Sequence, residues 1–72
     1  MNRVLVYVDC NGAPEKATSF KNNEQALHAL WMIRIRRDID MSIHDMWAIV
    51  KREKVVSVCD GGCIYMIRLE EG

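Results

Sequence analysis

Three cysteines (Cys10, Cys59, Cys63) and two histidines (His28, His44) are the only soft metal ligands in the chain. A structural zinc site pairs such residues at two short spacings, because four ligands must converge on a tetrahedron. Cys59 and Cys63 form one pair with three residues between them and have no second pair to complete it. A Cys/His nucleophile pair is formally available, but no nucleophile elbow, glycine-rich phosphate loop or HExxH motif accompanies it. Asp38 and Asp40 offer two carboxylates, yet they fall where a connection between helices needs polar residues. Asp60-Gly61-Gly62 is too short to cradle a phosphate and reads as a turn. The reading is a non-enzymatic chain with no catalytic residues, no metal and no cofactor. Its thiols serve as buried, inert small hydrophobes.

Basic side chains form two groups, Arg34, Arg36 and Arg37 in one and Lys51, Arg52 and Lys54 in the other. Both close helices, where cations offset the partial negative charge of the C-terminus. If the helices are antiparallel neighbours, the groups lie at opposite ends of the pair. A nucleic-acid binder usually shows one continuous stripe. An RNA- or DNA-binding module built on these six residues is therefore the alternative, not the first choice. A helix-turn-helix is disfavoured too, since the second helix has few side chains to spare for base edges. Trp31 and Trp47 are large for so short a chain, and five methionines accompany them. Both rings are expected against the sheet. If one is exposed as a partner anchor, the choice is Trp47, with His44, Met46 and Arg52 around it.

The elements follow from periodicity. Arg3–Asp9 alternates as a strand with large apolar groups on both faces, which suits a central position. Asn11-Gly12 turns the chain, Pro14 interrupts ladder bonding, and Lys16–Phe20 returns as a short edge strand ending at a buried Phe20. Asn22 or Asn23 caps a helix reaching about Arg37, its apolar face formed by Leu27, Leu30, Trp31 and Ile35. The alternation Ile33-Arg34-Ile35-Arg36 favours a strand, but length and strong helix formers decide for helix. Ser42, with Asp45 three residues on, caps a second helix over Ile43–Glu53, with Ile43, Met46, Trp47 and Val50 on one face. Its rival is a strand over Met46–Lys51.

The stretch Val55–Leu69 is a hairpin: two β-branched runs around Asp60-Gly61-Gly62. A two-residue turn, at Asp60-Gly61 or Gly61-Gly62, puts Val56 and Val58 on one face with Cys63, Tyr65, Ile67 and Leu69. A three-residue loop would bring Arg68 onto that face instead. The shorter turn is preferred. It sends Cys59 and Cys63 to opposite faces, which opposes a disulfide between them.

The sum is an α+β two-layer sandwich, β-β-α-α-β-β, with a four-stranded sheet carrying both helices on one face. The helices are expected over Val4, Val6, Val8, Val56, Val58, Tyr65 and Ile67. The uncovered face then bears Leu5, Tyr7, Val55, Ile64 and Met66 among Arg3, Asp9, Ser57 and Arg68. An apolar patch of that kind usually meets a partner. Leu5, Tyr7, Val55, Ile64, Met66 and Arg68, with Trp47 as a further anchor, are the expected partner-binding residues.

The 72 residues fit one small domain, 1–72. A core of this size rarely leaves more than about 3–5 kcal/mol of net stability, so a homodimer is the expected staple. Ten basic and ten acidic residues cancel, leaving no global field to attract nucleic acid or an anionic membrane. No apolar run approaches the roughly 20 residues of a membrane span, and no stretch has the shape of a signal peptide. An odd number of cysteines suits a reduced, cytoplasmic protein. In size and character the chain resembles the small proteins with which phages and other mobile elements block host machinery, such as anti-CRISPR and host-takeover inhibitors. That resemblance implies binding to another protein and occlusion of its surface. The expected function is thus protein–protein interaction, with an inhibitory phage accessory role.

Overall fold

A computed structural model describes residues 3–71 of the chain. Strand β1 (Arg3–Val8) and strand β2 (Pro14–Phe20) are followed by helices α1 (Asn23–Ile35) and α2 (Ile43–Glu53), then by strands β3 (Val55–Asp60) and β4 (Cys63–Glu71). The strands form one antiparallel sheet in the order β2-β1-β4-β3, with β1 beside the C-terminal hairpin and β2 at an edge.

The hairpin turns at Gly61-Gly62. Their φ angles of 58° and 90° are the pair of positive values that a two-residue type I′ turn requires. Register follows from that turn: Val56 pairs with Ile67, Val58 with Tyr65 and Asp60 with Cys63. Cys59 and Cys63 therefore sit on opposite faces.

Both helices begin as their sequences direct. The Asn22 side chain accepts a bond from the Gln25 amide, and the Ser42 hydroxyl accepts one from the Asp45 amide. The first helix stops at Ile35, two residues short of expectation. There the Arg36 and Arg37 amides turn back to the carbonyls of Ile33 and Arg34, an i→i+3 tightening that ends the coil. The second helix ends on Lys54 in the left-handed region, φ 67°, its amide bonded to the Val50 carbonyl.

Two faces differ from expectation. Leu5 and Tyr7, placed on the uncovered side by the sequence, lie under the helices with Phe20, Leu30, Met46, Trp47, Val50, Val56, Val58, Ile67 and Leu69. Their cross-strand partners are Leu69 and Ile67, whereas Val4, Val6 and Val8 pair with Glu70, Arg68 and Met66 on the other side. Period-two alternation cannot give the sign of a strand that is apolar on both faces. Size decides it: Leu and Tyr fill the depth beneath two helices, and the valines suit the shallower side. Helix α1 is likewise rotated. It buries Ala26, Ala29, Leu30 and Ile33, while Trp31 and Ile35 remain 45% and 51% exposed. Two alanines let this helix approach the sheet closely, and apolar residues on nearly every side made its stripe ambiguous.

Candidate functional site

Among the described residues, five large apolar side chains remain exposed: Trp31 and Ile35 on α1, and Val55, Ile64 and Met66 on the hairpin's outer surface. Val55 pairs with Arg68, Ser57 with Met66 and Cys59 with Ile64, so all six share the face opposite the helices. Ile64 is 67% exposed, Met66 38% and Val55 36%. Val6 and Val8 form a floor beside them on β1, covered because each is flanked across the sheet: Val6 by Ala17 and Arg68, Val8 by Pro14 and Met66. Of the residues expected to bind a partner, the structure brings together Val55, Ile64, Met66 and Arg68. Leu5, Tyr7 and Trp47 belong to the core and cannot meet a partner without unfolding.

Of the two tryptophans expected against the sheet, Trp47 lies there and Trp31 does not. Trp47 is buried, edge-on to Phe20 with centroids 5.5 Å apart at 86°, and Lys51 stands 5.4 Å over its ring. Its indole Nε1–H is buried without an acceptor. Trp31 is the exposed ring, tilted against His28 at 5.9 Å on the outer side of α1. The cysteines also differ: Cys10, Cys59 and Cys63 are all exposed, so they do not pack as small hydrophobes. Among the described residues, no three His, Cys, Asp or Glu side chains are grouped to hold a metal ion.

A polar cluster that sequence reasoning missed lies at the turn end of the sheet. The Tyr7 hydroxyl donates to Asp60 Oδ2 at 3.0 Å, and the Asp38 amide donates to Asp60 Oδ1 at 3.0 Å. Arg37 bonds Glu15 at 2.6 Å, stands 3.8 Å from Asp60 Oδ2 and lies over the Tyr7 and Tyr65 rings at 5.3 and 6.0 Å. Those two rings stack at 5.1 Å and 8°. Burial pushes the Tyr7 phenol well above its usual range, and its bond to the Asp60 carboxylate and that group's charge push it further; Arg37 draws it partly back. Every partner of Asp60 is internal, so the cluster clamps β1, β3 and the α1–α2 connection. Its one sequence signal was an Asp before two glycines that can make the turn alone, leaving the carboxylate free for other work.

Most residues of the two basic groups are exposed and held by contacts within the chain. Arg34 Nε donates to the Met41 carbonyl, Arg37 takes Glu15, Arg52 takes Glu53 at 2.9 Å and Lys54 stands 3.7 Å from Glu71. With Lys51 over Trp47, Arg36 alone of the six has no such contact among the described residues. This arrangement is two sets of helix-end contacts, not a stripe. Among the described residues, no helix is long and apolar enough to cross a membrane. Comparison with protein-family models, curated proteins and solved structures returned no match.

Proposed function

We propose that the chain is a non-enzymatic binding protein whose partner is another protein, and that it acts by occluding the partner's surface with the outer face of β3 and β4. The observation that carries this reading is the clustering of Val55, Ile64 and Met66, all substantially exposed, on one side of one hairpin. Scattered apolar residues are ordinary on a protein surface; a contiguous group on a rigid sheet is the usual mark of a binding face. Arg68 sits at the rim, where Arg is common in interfaces, and among the described residues its one ion pair is with Glu70 at 3.5 Å.

The magnitudes are sufficient. Burying an Ile side chain fully gives about 1.5–3 kcal/mol, so the 67% of Ile64 still in water represents roughly 1–2 kcal/mol, about five- to thirtyfold in affinity. The test is a capture experiment from source-cell lysate, with nuclease, comparing the wild-type chain with Ile64→Lys/Met66→Lys. Both positions are exposed, so the variant should stay folded. A protein held stoichiometrically by the wild type and lost by the variant supports the reading. Capture that persists in the variant, or that vanishes with nuclease, overturns it.

A further inference from the structure

Strand β2 is an edge, and helix α1 runs antiparallel beside it, leaving a groove of about 720 Å³ between Lys16, Thr18 and Ser19 on the strand and Gln25, His28 and Met32 on the helix. Past Lys16 and Met32 the groove continues into a hollow of about 300 Å³ beside Glu15, Arg36 and Arg37. β2 has no strand on its outer side, so its outer backbone groups lie along this edge of the sheet. Among the described residues, no turn, loop or capping hydrogen bond takes up those of 15–20. The opposite edge of the sheet differs, because Ile39 bridges to Asp60 and closes one end of β3.

We infer that this groove receives an extended peptide segment of a partner, added antiparallel to β2 as a fifth strand, with an acidic group at its C-terminal end. An unpaired edge supplies hydrogen bonds to any sequence, and the floor beneath it receives alternate side chains. Here the floor is Ala29 and Met32. Along α1, Glu24 to Arg36 rises about 18 Å, the span of about five extended residues.

Direction and charge agree. An antiparallel segment runs from the Phe20 end of β2 toward its Lys16 end. Its C-terminus thus arrives at Lys16 and Arg36, neither of which is ion-paired among the described residues, while its N-terminus lies near Glu24. Arg37 adds little, since Glu15 neutralises it at 2.6 Å. Two free cations exceed the partial negative charge at the end of α1, about half an elementary charge. The segment therefore has β-branched residues between an N-terminal cation and a C-terminal carboxylate. A second copy of the chain fits less well. Its own β2 would offer Lys16 and Thr18 to the groove, leaving the apolar floor unfilled.

The experiment is an amide-detected NMR titration with two pentapeptides. One is acetyl-Lys-Val-Thr-Val-Glu with a free carboxylate; the other is acetyl-Glu-Val-Thr-Val-Lys amide. The first should move the amides of residues 15–20 with those of Ala29 and Met32, and bind about tenfold more tightly than the second. The exposed pair Lys16→Glu/Arg36→Glu should reverse that preference, whereas Met66→Lys on the far face should leave it unchanged. Equal affinity for the two peptides, or no shift along β2 at millimolar peptide, would overturn the inference. So would a doubled mass of the peptide-free protein that the charge-reversal pair abolishes, which would give the edge to a second copy.

Discussion

Replacing Tyr7 by Phe isolates the clamp that ties the hairpin to the rest of the sheet. The substitution keeps the stacked ring, 5.1 Å from Tyr65, and removes only the hydroxyl that donates to Asp60 at 3.0 Å. A hydrogen bond to a charged group contributes about 1.5–3 kcal/mol. Asp60 keeps the Asp38 amide and a nearby Arg37, and its side chain is 12% exposed, so water replaces part of the loss. The expected cost is about 1.5–2 kcal/mol, the lower part of that range. In a domain whose total stability is only about 3–5 kcal/mol, the urea midpoint should fall by a third or more.

The titration of Tyr7 supplies an independent readout. Its folded pKa lies above the unfolded value near 10, so folding favours the neutral phenol. The stabilisation is complete below about pH 10 and is lost as the pH rises from there toward the folded pKa. One such group reduces stability by up to about 1.4 kcal/mol per pH unit in that window. Urea unfolding at pH 7 and at intervals above pH 10 should show this decline in the wild type and a shallower one in Tyr7→Phe, with Tyr65 accounting for the remainder. A cost below about 0.5 kcal/mol with an unchanged alkaline slope would refute the clamp.

Further expectations come from the same geometry. Lys54 holds φ 67°, and a left-handed non-glycine residue costs about 1–2 kcal/mol. Lys54→Gly should therefore raise stability by about 0.5–1 kcal/mol after the added freedom of the unfolded chain is counted; a lower urea midpoint would contradict this. Trp47→Ala should cost about 3–5 kcal/mol and Trp31→Ala less than about 1 kcal/mol, and acrylamide should quench Trp31 fluorescence selectively. All three cysteines are exposed, so a thiol reagent should titrate three groups in the native, reduced protein without denaturant; fewer would mean that a thiol is shielded.

Legibility varied with the physics behind each feature. The hairpin register, the Ser42 cap, the edge position of β2 and the β-β-α-α-β-β order were readable because each rests on local chemistry: turn residues, a capping oxygen, a proline. Orientation about an axis was not. In β1 both faces are apolar, and in α1 apolar residues occupy most of the circumference, so neighbours in space chose the buried side. That choice moved Leu5 and Tyr7 into the core and Trp31 out of it. The outward placing of Val55, Ile64, Met66 and Arg68 on β3 and β4 held because the hairpin turn fixed its parity independently. The Tyr7–Asp60 contact spans 53 positions and left no periodic trace.

Whether the face carrying Val55, Ile64 and Met66 meets a protein partner is read from the affinity of the purified partner, obtained by the capture described above, for three chains: wild type, Ile64→Lys and Trp31→Lys. Both substitutions place a charge at an exposed apolar site, one on the hairpin face and one on the outer side of α1. Ile64→Lys should lose about fivefold or more in affinity, in line with the roughly 1–2 kcal/mol that its burial supplies, and Trp31→Lys should bind nearly as well as the wild type. The reverse order, or equal binding by all three, would contradict contact through the hairpin face.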